Sequence, residues 1–404
     1  LSSSQEMYTE LARVGIKDPG VALEFFVHRL IGILSLWQED EEVITSALTV
    51  FYDICSTFST VKILGKIELS QQLLTRHTPD DFPFLTNLPS SRVRLLFYKS
   101  LGKLVVFNEN LKNFDLFMSS LESRLNFLEQ QQDWNDECIG EFVGLCHNLR
   151  GILSSFQTRR PYDLIFDWIV PRYIPIFLKA AEVFPTHTHI TPALLRFVVE
   201  FATNNSQRIN FSSSSANGIL LFRFCSAILV SIGSQIISYD PSSFTTDMWK
   251  HKFKIIWLCV SMLTANLVGK YVCFGVFSLY NDPALYQALT SVLDLSFSIP
   301  MEEMVLYPKF EKSFLEMCEI LCQDHITTLL ELEGKGYLSR IALHLKDSLS
   351  SPHAELVCNA IKYICENYLK LKTNRRGTNL EVLRAFDNQI MPVLPAILAR
   401  CLHL

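Results

Sequence analysis

The chain has 404 residues, of which 49% are hydrophobic and 19% charged, with 15 glycines, 16 prolines and a formal net charge of −5. A chain this apolar is not disordered, one this poor in turn residues is not built from β-hairpins, and a balance this close to neutral argues against a nucleic-acid binder. Its length exceeds what one compact core supports, so it forms either several globular domains or an elongated repeat array.

Leu23, Phe26, Leu30, Ile33 and Trp37 recur at three-to-four spacing and predict a first amphipathic helix. The acidic run Glu39–Glu42 reads as the end of that helix and the start of the next, because carboxylates suit a helix N-terminus. Val43, Ala47, Val50, Ile54 and Phe58 predict the second helix, and the pair reads as a helical hairpin. Further helices are expected over 61–76, 92–107, 111–131, 136–157, 161–184, 191–204, 216–238, 249–268, 282–298, 302–333, 336–349, 352–371 and 380–401. The breaks are TPDDFPF (78–84), NLPSS (87–91), FPTHTH (184–189), YDPSS (239–243), SIP (298–300), LEGKG (332–336) and TNRRGTN (373–379). Thr191-Pro192, Asp282-Pro283 and Ser351-Pro352 each place a capping side chain before a proline that needs no donor.

About 15 helices joined by short loops, at roughly 40 residues per helix pair, match the HEAT and armadillo class. The expected fold is all-α: a HEAT-repeat α-solenoid, a superhelix of antiparallel helix pairs running as one continuous array over residues 1–404 with no internal domain boundary. The 11 cysteines, scattered through apolar segments, read as reduced thiols packed as small hydrophobes in a cytosolic or nuclear protein. The sequons at Asn204 and Asn210 would matter only in a secreted chain. With Leu1 in place of an initiating methionine, the chain reads as a piece of a longer protein. Ile255–Tyr280 is apolar enough to require a membrane test, but Lys270 falls inside it after Gly269, so two shorter buried helices are expected.

Chemistry has few candidates. Cys318, Cys322 and His325 share one helix face at i, i+4 and i+7, yet Leu315 and Leu329 extend the same stripe and a fourth ligand at matching spacing is missing, so core packing is the reading and no metal is expected. His187 and His189 flank one threonine in a loop and read as surface residues. No nucleotide-binding, nucleophile-elbow or zinc-protease motif occurs, and Glu302-Glu303 point in different directions on a helix, so neither an enzyme nor a cofactor is expected.

One stretch remains: NNSQRINFSSSSANGILLFR, Asn204–Arg223. Its Ser, Asn and Gly residues supply turn geometry and local hydrogen bonds between two apolar helices. Arg208 in the loop and Arg223 in the apolar helix are costly unless they are paired or open onto a groove. Two readings stand: a satisfied inter-helix loop, or a partner-contacting inner surface formed by Asn204, Gln207, Arg208 and Arg223.

The same stretch resembles the exportin-7 family pattern of an Asn-x-Ser-Gln-Arg loop, serine-rich residues and Asn-Gly-Ile-Leu-Leu-Phe-Arg. LRGI (149–152), FDWIVPRYIPIF (166–177), GKYVCFGVFSLYNDPAL (269–285), SIPMEEMVLYPKF (298–310) and LCQDH (321–325) agree in order, over about Ile16 to Tyr368. The N-terminal segment, Phe82–Asn110 and everything after Lys370 match loosely. The resemblance implies the C-terminal half of a karyopherin of the importin-β superfamily. It implies a nuclear transport receptor that shuttles between nucleus and cytoplasm, with protein cargo, Ran-GTP and the Phe-Gly repeats of the nuclear pore as partners. It places the main Ran-GTP site in an N-terminal half outside these residues, and it implies neither nucleic-acid binding nor membrane insertion. The alternative is a static HEAT-repeat scaffold for a cytosolic complex.

Overall fold

The structure is a computed structural model; it describes residues 18–87, 91–107, 112–212, 214–238, 246–332, 335–373 and 380–393, with isolated residues towards either end. Among the described residues there is no β-strand, and the architecture is an all-α stack of HEAT/TPR-like helix pairs. The chain groups into two compact units, residues 1–177 with Asn205–Asn210, and Leu178–Asn204 with 211–404.

In the first unit α1 (Pro19–Leu36) pairs with α2 (Glu41–Ser56), followed by the short α3 (Phe58–Leu64), α4 (Glu68–Thr75) and α5 (Phe84–Asn87). Then come α6 (Ser91–Phe107), α7 (Lys112–Gln130), α8 (Asp136–Ser155) and α9 (Arg159–Ile169). Helices α2, α6 and α8 pack successively in one layer, while α1, α4 and α7 form the other. The caps explain the starts. The Asp18 carboxylate accepts the Gly20 N–H at 2.8 Å, Asp40 accepts those of Glu42 and Val43 at 3.1 and 3.0 Å, and Asn135 accepts that of Cys138 at 2.9 Å. The acidic run therefore does start a helix, as its composition predicts.

Helix α10 (Ile174–Val183) carries the chain out of the first unit at Phe177. In the second unit α11 (Ile190–Ala202), α12 (Asn217–Ile237), α13 (Thr246–Val268), the short α14 (Gly275–Leu279) and α15 (Ala284–Phe297) come first. They are followed by α16 (Met301–Met304), α17 (Pro308–Asp324), α18 (Ile326–Glu331), α19 (Tyr337–Asp347), α20 (Ala354–Thr373) and α21 (Leu380–Ile390). Helices α11, α13, α17 and α20 stack in one layer; α12 packs on α15, and α18 and α19 pack on α21, in the other.

Three expected helices are divided. The 61–76 helix breaks between α3 and α4, the 161–184 helix breaks at the cis Val170–Pro171 bond, and the 302–333 helix is split by Pro308 and His325. Asp282 accepts the N–H of Ala284 at the start of α15 as expected, whereas Ser351 accepts that of His353 in the turn before α20 and so does not cap the helix itself. Nor does Thr191: its hydroxyl donates back to the Phe184 carbonyl, and His187 Nδ1 accepts the N–H groups of His189 and Ile190 at the start of α11. The breaks expected at 239–243 and 374–379 lie outside the described residues.

Two described helices, α1 and α12, are long and apolar enough to cross a membrane by length and composition. Helix α12 directs much of that character inward: Leu221, Phe222, Phe224, Ile228, Leu229 and Ile232 are all buried. The chain breaks at Gly269, as expected, with Lys270 in the left-handed region at φ 57°. Of the ten cysteines among the described residues, Cys273, Cys358 and Cys365 are exposed and the other seven are buried. Burial pushes the thiols of Cys225, Cys259 and Cys322 up to about 12.

His77 is fully enclosed in the first unit, with Nε2 3.0 Å from the Phe117 carbonyl and Tyr98 donating its hydroxyl to the His77 carbonyl at 2.8 Å. Burial lowers its pKa from 6.5 to about 4, a drop that hydrogen bonds to the Phe117 and His77 carbonyls oppose. In the second unit His344 is also lowered to about 4 by burial, and neither ring nitrogen has a hydrogen-bond partner among the described residues. Both rings are neutral in the fold and charge readily only when unfolded. Stability present above pH 6.5 is therefore lost as pH falls from 6.5 towards 4, by about 1.4 kcal/mol per pH unit for each ring. Urea unfolding midpoints measured across that window should fall with acidification, and His77→Asn should flatten the dependence.

Candidate functional site

The stretch from Asn204 to Arg223 is a short 3-10 turn, an irregular segment and the start of α12. Ser206 and Gln207 both take left-handed backbone angles, φ 55° and 56°, so the chain reverses sharply here. Within the first unit, Arg208 is fully enclosed, and its Nη1 donates to the carbonyls of Leu153 at 2.5 Å and Phe156 at 3.1 Å. Its guanidinium lies 5.6 Å from the Tyr162 ring centroid. A cation placed on the last carbonyls of α8 satisfies acceptors that the helix leaves open and complements its dipole.

Within the second unit, Asn204 donates its amide to the Gly269 carbonyl at 2.7 Å, just past the end of α13. Tyr271 donates to the Ala202 carbonyl at 2.8 Å, and Phe211 meets the Tyr271 ring edge-on. Gly218 is required by this packing, since a Cβ there would stand 2.1 Å from the Tyr271 carbonyl oxygen. Arg223 turns outward and pairs with Asp282, Nη2 to Oδ2 at 2.7 Å, while the other Asp282 oxygen caps α15.

The four residues grouped by sequence thus divide by environment. Asn204 and Arg208 direct polar atoms to backbone carbonyls of their own units, whereas Gln207 and Arg223 are exposed. The charge on Arg223 is paired, which is one of the two conditions its position in an apolar helix demands.

Two open grooves offer larger surfaces. One, of ≈ 520 Å³, runs between α1 and α2 with an apolar floor of Phe26, Ile33, Val43, Ala47 and Val50 and a charged rim of Arg29, Asp40 and Glu42. These floor residues were expected to pack in the core. On α1 the core keeps Leu23 and Leu30 of the expected stripe and adds Val27 and Leu34, while on α2 it takes Ile44, Leu48, Phe51 and Cys55, one residue on from Val43, Ala47, Val50 and Ile54. Trp37 and Phe58, at the ends of the expected stripes, are 52% and 73% exposed. The stripe on each helix is wider than the contact it makes, and its uncovered flank is the groove. The second groove, of ≈ 530 Å³, lies among α11, α13 and α17, where Glu316, Glu319 and Gln323 stand beside Thr264, Ala265 and Val268.

Elsewhere the packing readings describe what is found. Cys318 and Cys322 are buried in α17 with their thiols pushed up by burial, and His325 meets Phe274 edge-on at 4.9 Å. His187 serves as a cap for α11.

Comparison with known proteins completes the description. A family model described as the TPR domain of exportin-7-like proteins matches residues 1–93, which includes the N-terminal segment where the resemblance is loose. Exportin-7 of Dictyostelium discoideum is 31% identical over 383 residues, covering 92% of this chain and 38% of that protein. Exportin-7-A of Xenopus laevis is 34% identical over 345 residues, covering 82% of this chain and 32% of its own length. The chain belongs to the exportin-7 family. Ran-binding protein 17 of Mus musculus aligns over the same shares, 82% and 32%, at 33% identity. This exportin-7-like chain spans about a third of the length of the relatives it matches.

Proposed function

We propose that the chain is part of a nuclear transport receptor that carries protein cargo through the nuclear pore in a Ran-GTP-dependent manner and shuttles between nucleus and cytoplasm. One observation carries the reading: proteins named exportin-7 and Ran-binding protein 17 align with more than four fifths of the chain. In this role the chain supplies docking surface, and GTP hydrolysis is Ran's own chemistry.

The stacked helix pairs suit such a role physically. Small rotations between neighbouring pairs cost little each and accumulate along a stack. Two ligands that favour the same curvature then bind cooperatively, with a coupling of about 1–3 kcal/mol. The apolar groove between α1 and α2 is of a kind that admits aromatic side chains of Phe-Gly repeats, with Phe26 and Ile33 on its floor. Gln207 in the first unit and Arg223 in the second, the exposed members of the sequence-selected set, are each taken as a partner contact.

The test is capture by the full-length protein of Ran locked in its GTP or its GDP form, with and without cargo. Preferential capture of the GTP form, strengthened by cargo, is the expected result. Equal capture of both forms would favour the static scaffold.

A further inference from the structure

Three of the ten histidines meet where α10 leads into α11. His187 and His189 belong to the connecting loop, FPTHTH, with ring centroids 6.0 Å apart; His187 is half-buried and His189 exposed. His251 reaches the same loop from α13, the helix on which α11 packs. Its ring hydrogen-bonds the backbone of Thr186, and the charges that bear on it are those of Lys254, His187 and His189.

Two of these rings hold the loop only while they are neutral. His187 Nδ1 accepts the N–H groups of His189 and Ile190, each at 3.2 Å, so its lone pair is in use and the ring proton sits on Nε2. A proton on Nδ1 turns that acceptor into a donor aimed at two other donors. It also places positive charge at the N-terminus of α11, whose first turn holds no acidic residue. His251 uses one ring nitrogen on Thr186, and the other, Nε2, is buried with no hydrogen-bond partner among the described residues. Charging this ring creates a buried N–H that nothing receives. Burial takes the pKa of His251 below its ordinary 6.5, and Lys254, His187 and His189 deepen the drop against the opposing hydrogen bond to Thr186. Lys254 lies one turn further along α13, where burial and the charge of Arg196 on α11 lower its own pKa. The loop, α11 and α13 thus each turn a cationic or proton-accepting group towards the cluster.

We propose that His187 and His251 form a proton-operated latch on the loop between α10 and α11: neutral, they hold residues 186–190 in place beside α13, and protonated, they release them and fray the first turn of α11. Because the closed state disfavours the charged rings, its stability is complete above the ordinary histidine pKa of about 6.5 and is lost as pH falls below it. The opening is local, unlike the loss of global stability that His77 and His344 bring. The inference stands apart from the transport role.

Hydrogen exchange of the 404-residue chain tests this at the His189 and Ile190 amides, the two that His187 receives, with rates expressed as protection factors so that the intrinsic pH dependence of exchange cancels. From about pH 7.5 to about pH 5.5 their protection should fall roughly tenfold, the change expected for one imidazole held neutral. Protection of Val260, buried within α13, should stay constant. His187→Asn supplies a capping oxygen that does not titrate and should shrink the fall. His187→Asn with His251→Gln, whose amide can still donate to Thr186, should abolish it while keeping the protection seen at the higher pH. If the double variant is already unprotected there, the single variant decides. A flat profile in the parent chain, an undiminished fall in His187→Asn or in a protected double variant, or a parallel fall at Val260 would overturn the proposal.

Discussion

Arg208→Ala is expected to destabilise the first unit by about 3–5 kcal/mol, the range for removing one partner from a buried charged network. The side chain is fully enclosed, so its removal leaves a cavity as well as the Leu153 and Phe156 carbonyls without their donor. Arg208→Met refills most of the volume without restoring the hydrogen bonds, and should recover only part of the loss. Arg208→Lys keeps the charge but loses the planar guanidinium that lies 5.6 Å from the Tyr162 ring centroid, and should also recover only part of the loss. Urea titrations followed by circular dichroism rank the three; a change below about 1 kcal/mol for alanine would mean that the guanidinium is dispensable.

Gly151→Val should cost about as much, roughly 3 kcal/mol or more, by forcing apart two helices that meet backbone to backbone. A Cβ at Gly151 would lie 2.7 Å from the Leu95 carbonyl oxygen, 3.0 Å from Tyr98 Cβ and 3.2 Å from the Lys99 nitrogen, and backbone cannot swing aside. Gly102 faces the same interface from α6, but the nearest obstacle there is the Ser155 hydroxyl at 2.2 Å, a movable group, so Gly102→Ala should cost less. Gly32 in α1 is the control: nothing lies within 4 Å of its Cβ position, and Gly32→Ala should stabilise by up to about 1 kcal/mol through helix propensity alone. Thermal melts of the three variants would show that order.

The fold class was legible because helical periodicity survives from residue to residue. The continuity of the helices was less so. Around Pro171 buried residues recur on both sides, Ile165 and Ile169 before it and Tyr173 and Phe177 after, so the apolar rhythm hides the break. The five-residue α14 is too short to show any rhythm. At the loop, sequence spacing could single out Arg208 and Arg223 as anomalous but not say what they meet. The carbonyls that Arg208 bonds lie 55 and 52 residues away, and Asp282 lies 59 from Arg223. The α1–α2 groove was missed for a different reason: an apolar flank and an apolar core stripe look alike until a partner helix covers one of them.

The division of the cysteines has a practical corollary. Thiol-reactive dyes attack the thiolate, which burial suppresses at positions such as Cys146 and Cys318, so the native protein should take label at Cys273 and Cys358, and more slowly at Cys365, whose thiol partial burial also pushes up. All three belong to the second unit, one after α13 and two on α20. Without any engineering, the molecule carries its own attachment points for distance measurements between those helices as ligands come and go.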